Sequence, residues 1–245
     1  MSKRDAYRAI LREMPDWDSY LLRESGLPGP RGNLELAQAV ADAGDLHRFE
    51  RYLLNTPDTA PVNSPYEFLA FCGAVGLGRL LAEGDDTLLA VLRRCASDPR
   101  WRMREGVAMA LQRLGDADMS RLVAAARDWA RGTPLEQRAA AAALCEPRLL
   151  GAPAHARATL RILDGITASI ARVKDRRSDD FRALRQGLGY CWSVAVAALP
   201  AEGKPLMEKW LSNSDPDVGW IMRENLKKAR LERVDPEWVK HMRDR

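Results

Sequence analysis

Two pentapeptides carry the most suggestive chemistry in the chain: Trp101-Arg102-Met103-Arg104-Glu105 and, 119 residues later, Trp220-Ile221-Met222-Arg223-Glu224. In each, a carboxylate follows an indole by four residues, so on a helix the two share a face. An indole ring attracts a cation through its π surface, and a carboxylate one turn away can steady positive charge as it develops. Glu105 and Glu224 are therefore the only catalytic candidates. The helix starting near Asp98 has a core stripe of Met103, Val107, Ala110, Leu111 and Leu114, which leaves Trp101 and Glu105 off the core. A shift of 81 residues lands on Arg182, Gln186 and Tyr190, and Lys228 extends the Trp220, Glu224 stripe. The candidate binding set is thus Trp101, Glu105, Arg182, Gln186, Tyr190, Trp220, Glu224 and Lys228.

Each of these side chains also has a structural account. A Trp in the first turn of a helix packs readily on the preceding element. Carboxylates in N-terminal turns are favoured by the helix dipole. Cations are favoured at helix C-termini, where Arg172, Lys174, Arg176 and Arg177, and later Lys227, Lys228, Arg230 and Arg233, are found. Such clusters could also follow a phosphate backbone along one rim. Other reactive patterns are missing. The cysteines Cys72, Cys95, Cys145 and Cys191 and the histidines His47, His155 and His241 are scattered, so neither a metal nor a cofactor is expected. Gly73, Gly76 and Gly78, then Gly187 and Gly189, sit inside helical patterns and point to close helix contacts rather than a phosphate loop.

The elements that must position these residues are helices. Ala, Leu, Arg and Glu dominate, apolar residues recur three and four apart, and alternating β-branched runs are scarce. The segments 25–33 (SGLPGPRGN) and 55–64 (NTPDTAPVNS) read as loops, with one helix expected between them over 34–54. Beyond residue 60 a small polar residue followed by Pro opens helices at Ser64-Pro65, Asp98-Pro99, Thr133-Pro134 and Asp215-Pro216, and Asp179-Asp180 opens another. Such a pair supplies a side-chain cap and then a residue whose missing N–H costs nothing in the first turn. Second helices are expected over 86–96, 118–131, 154–174 and 204–211, making a series of antiparallel pairs.

Within three of these units an Asp is followed at five and six residues by an apolar residue and an Arg: Asp98, Met103, Arg104; Asp179, Leu184, Arg185; and Asp217, Met222, Arg223. This spacing resembles the HEAT repeat family over roughly residues 64–234. The resemblance implies an all-α, right-handed α-solenoid of about five antiparallel helix pairs, with Arg104, Arg185 and Arg223 tying neighbouring repeats. It also implies a concave face carrying the binding set above. The expected organisation is an irregular helical N-terminal cap over 1–60 and the repeat solenoid over 61–245, in one continuous domain. The family's members are mostly scaffolds, so a binding module for a protein or an anionic polymer such as nucleic acid is the leading expectation. The architecture also resembles the bacterial HEAT-like alkylpurine DNA glycosylases. That likeness implies an alternative in which an indole and a carboxylate act on a cationic damaged base.

Charge fits such a partner without demanding one. The 38 Lys and Arg exceed the 34 Asp and Glu, and the surplus lies in the C-terminal half: residues 133–245 hold 20 basic and 15 acidic side chains. A composition 46% hydrophobic and 29% charged excludes collagen-like and wholly disordered classes. No uncharged apolar run approaches the roughly 20 residues of a membrane helix, and no targeting segment is evident. Unpaired cysteines fit a reducing compartment, so a cytoplasmic location is expected.

Overall fold

The computed structural model describes residues 2–244. Among these residues the chain is all-helical, with fifteen α-helices, two short 3-10 segments and no strand. No described helix is long and apolar enough to cross a membrane.

The small polar residues read as helix starts do cap helices. Ser64 accepts the Glu67 N–H at 3.3 Å ahead of α5 (Pro65–Ala82). Thr133 and Glu136 form a reciprocal capping box ahead of α9 (Pro134–Leu144). Asp215 accepts the N–H groups of Asp217 and Val218 at the head of α13 (Pro216–Leu226). Each such cap contributes about 1 kcal/mol. Two starts differ in detail. Ser178, not Asp179, caps α11 (Asp179–Ala198), accepting from Phe181. Asp98 instead closes a local turn by accepting the Arg100 N–H at 2.8 Å, and α7 (Trp101–Ala117) begins at Trp101.

Other boundaries shift for local reasons. The stretch 34–54 is two helices, α3 (Leu34–Ala43) and α4 (Leu46–Leu53), because Gly44 and Asp45 are extended and Asp45 caps α4 through the Arg48 N–H. The helix expected over 154–174 is α10 (Pro153–Ser169), finished by a 3-10 turn at Ile170–Arg172. The one expected to start at Lys204 is α12 (Pro200–Leu211), which takes Pro200 into its first turn and tolerates Pro205 inside. The loops over 25–33 and 55–64 are nonhelical as expected.

Packing divides the chain into two compact units after Ala117. In the first, α5 is the central helix, buried from Glu67 to Gly78, and α3, α4 and α7 pack on it. The helices before residue 60 therefore belong to the same body as α5 and α7. Gly78 lets α5 and α7 approach closely: a Cβ there would lie 2.4 Å from the Ala110 Cα.

In the second unit α11 is central, flanked by α9 on one side and α13 on the other, with α10 and α12 also packed on it. The fully buried Asn225 clamps α13 to α11. Its Oδ1 accepts the Ser193 N–H at 2.7 Å, and its Nδ2 donates to the Leu188 carbonyl at 2.8 Å. Trp192 is fully buried and donates to the Thr167 hydroxyl at 3.0 Å, which ties α11 to α10. Trp17, Trp129 and Trp210 are buried as well.

Candidate functional site

In the first unit Trp101 opens α7 and is 46% exposed. It stands beside a cleft lined by Pro28, Gly29, Pro30, Val62, Asn63 and Arg102. Both sequence-predicted loops thus meet at this indole. Beneath it lies a buried charge pair that the spacing arguments missed. Arg102 stacks its guanidinium over the Trp101 ring, 4.4 Å from the centroid. It donates to Glu67 Oε2 at 3.2 Å and to the Gly29 carbonyl at 2.7 Å. Glu67 is fully buried and also accepts the Asn63 N–H at 2.7 Å. Asn63 adopts a left-handed φ of 68°, which Asn tolerates better than most residues, and its side-chain oxygen accepts the Gly29 N–H at 3.0 Å. The network staples two loops to the starts of two helices. Glu105, one turn after Trp101, is half-buried.

In the second unit Arg182, Gln186 and Tyr190 occupy successive turns of α11 and are all exposed. Arg182 pairs with Asp179 at 3.0 Å. Tyr190 is 45% exposed; Arg230 places its guanidinium 4.5 Å from the ring centroid and donates to the phenol oxygen. Arg230 belongs to α14 (Ala229–Val234), so this stack crosses between helices. Next to it Arg230 and Arg233 line a cavity of about 490 Å³ with Pro147, Leu150, Val194 and Ala198.

Trp220 has a different environment. It is half-buried, with Arg185 over its ring at 3.8 Å and its edge against Gly189, where a Cβ would come within 3.1 Å. Arg185 in turn pairs with Asp217 at 2.9 Å. Arg176 also grips this helix start, pairing with Asp215 at 2.6 Å and Asp217 at 3.1 Å, and its hydrogen bond holds the Asp215 carboxyl below the usual range. Arg185 on α11 thus joins the start of α13. Arg104 turns back on its own helix start, donating to the Asp98 and Pro99 carbonyls, and Arg223 is exposed. Glu224 accepts from Lys227, and that bond keeps its carboxyl ionised below the usual range. Lys228 is half-buried at the cap of α14.

The arrangement can bind better than it can transfer protons. A carboxylate held ionised by a lysine is a poor general acid, and one face of each indole already carries an arginine. Burial pushes the Cys72 and Cys145 thiols up and takes Cys95 to about 11, so these thiols are protonated at neutral pH. Among the described residues, no group of three or more His, Cys, Asp or Glu could hold a metal. No protein-family model matches the chain, and no curated protein is significantly similar to it.

Proposed function

We propose that this chain is a HEAT-like helical-repeat binding module that holds a nucleic-acid strand along the α11 and α14 surface of its second unit. The observation that carries the reading is Tyr190. A large aromatic ring stands exposed under the guanidinium of Arg230, in line with Arg182 and Gln186. An exposed ring among cations suits a base that stacks while its phosphates meet arginine, and stacking of this kind contributes about 1–3 kcal/mol per base. The right-handed solenoid and concave face of the repeat family would align this stripe with its counterparts on neighbouring helices.

Base excision is the weaker reading. It requires an open indole beside a free carboxylate, yet Trp220 packs its edge on Gly189 and Glu224 is held by Lys227.

The test is fluorescence anisotropy with a labelled single-stranded oligonucleotide across a salt series. Binding should weaken steeply with salt. Tyr190→Ala should weaken it about tenfold or more, while thermal unfolding stays near the wild type. Absence of binding at low salt, or full affinity in Tyr190→Ala, would sink the nucleic-acid reading. Binding that ignores salt would remove the arginine-to-phosphate contacts from the reading.

A further inference from the structure

The second unit contains a second, separate cationic feature on α8 (Met119–Trp129), α10 and the turns that follow them. Arg127, Arg131, Arg161 and Arg172 surround a cleft of about 390 Å³ whose lining includes Gln137, Gly165 and Ser169. Among the described residues, none of the four arginines is within ion-pair distance of a carboxylate. The acids on neighbouring elements are engaged elsewhere. Asp164 accepts Lys209 Nζ at 2.9 Å and the Trp210 indole N–H at 2.8 Å. Glu136 closes the capping box with Thr133. Glu202 feels the charge of Arg161, but Arg157 holds it through contacts of 2.8 and 2.9 Å.

The polar lining is fixed. Gln137 is only 7% exposed and donates to the Ala130 carbonyl at 3.1 Å and the Ser169 hydroxyl at 3.2 Å. Ser169 in turn donates to the Ile166 carbonyl at 2.7 Å. The lining has no aromatic ring, so the cleft can read charge but not bases. A Cβ at Gly165 would meet nothing within 4 Å, which leaves this part of the lining open.

We infer that this cleft is a binding site for a run of consecutive phosphates. Four exposed guanidiniums around one concavity, none in an ion pair among the described residues, attract an anion, and the guanidinium fork matches phosphate oxygens in pairs. Arg161 and Arg172 are separated by eleven residues, roughly 16 Å along α10 and its closing turn, which spreads the cations over a length that several consecutive phosphates can follow. A nucleic-acid backbone and a free polyphosphate share this chemistry. The site does not include Tyr190, and the inference stands apart from the reading of the α11 surface.

Isothermal titration with sodium tripolyphosphate tests the site, using wild type, Arg161→Ala/Arg172→Ala and Gly165→Leu. Wild type should bind, and the double arginine variant should lose about tenfold or more, as expected for charge-assisted hydrogen bonds. Gly165→Leu fills the cleft without touching the core and replaces a poor helix former, so it should lose binding while its melting temperature holds or rises. No tripolyphosphate binding, or wild-type affinity in either variant, overturns the site. A labelled oligonucleotide then identifies the source: displacement of tripolyphosphate assigns the cleft to a nucleic-acid backbone, and failure to displace assigns it to free polyphosphate. Tripolyphosphate binding without any oligonucleotide binding would keep this cleft and remove the proposed function. Oligonucleotide binding lost in Tyr190→Ala but unchanged in both cleft variants would do the reverse.

Discussion

The two compact units differ in how they use arginine. Up to Ala117 the chain holds 15 Lys and Arg against 17 Asp and Glu; from Asp118 on it holds 23 against 17. In the first unit arginines turn inward to fasten irregular backbone. Arg100 donates to the Asn55 and Ala60 carbonyls as well as to Asp98, and Arg102 reaches Glu67 and Gly29. Arg113 joins Asp42 at 3.0 Å, and Arg79 joins the Ala41 and Gly44 carbonyls. In the second unit Arg176 and Arg185 do similar work, but Arg127, Arg131, Arg161 and Arg172 surround a cleft with no paired acid. Count alone therefore misleads: what matters is whether a guanidinium has an internal acceptor.

The comparison breaks most easily at Arg102. Arg102→Ala would leave Glu67 buried without its cation, and such losses cost about 3–5 kcal/mol. Arg161→Ala in the second unit removes no internal partner and should change stability by no more than about 0.5 kcal/mol. Urea unfolding of both variants measures the contrast directly, and equal losses would erase it.

A smaller effect is expected where the first unit depends on close backbone approach. Gly78→Ala places a methyl against the Ala110 backbone of α7 and should cost about 1–3 kcal/mol, read as a lower urea midpoint. A neutral result would mean that α5 and α7 can separate freely.

The smallest effect sharpens the paired arginines of the second unit. Asp215 has a folded pKa depressed below 3.8, first by the Arg176 hydrogen bond. Its contribution to stability is therefore present above the unfolded value and is lost as pH falls through the lower folded value. Arg176→Ala should be less stable than wild type at neutral pH, and the gap should close on acidification. A gap unchanged down to strongly acidic pH would place the effect in packing. The pair is partly exposed, so solvent keeps the difference small.

Much of the helical framework was legible because its signals are local. A cap at Ser64, Thr133 or Asp215 bonds to an N–H only two or three residues away, so sequence spacing suffices to find it. The break at Gly44-Asp45 escaped because the hydrophobic period runs through it, although Asp45 is itself a capping residue. The same periodicity left Trp101 and Tyr190 off the core, and both are exposed. It could not separate them from Trp220, which has the same position in its pentapeptide but packs against Gly189 of another helix.

Arg102 shows the limit of such reasoning. Its neighbours in sequence, Trp101 and Glu105, attract attention, whereas its partners Glu67 and Gly29 are 35 and 73 residues away. The Ser64-to-Glu67 spacing is a capping-box signal that could have drawn attention to Glu67, but nothing local shows that an arginine covers it.

Sequence alone determined that this chain is helical, where most of its helices begin, and which aromatic residues its core stripes leave out. Those properties follow from backbone hydrogen bonds and side-chain periods that span only a few residues. Tertiary structure decided which charges find an internal partner and which do not. Pairing a guanidinium depends on acceptors brought near by packing, and residues one helix apart in space can be dozens apart along the chain.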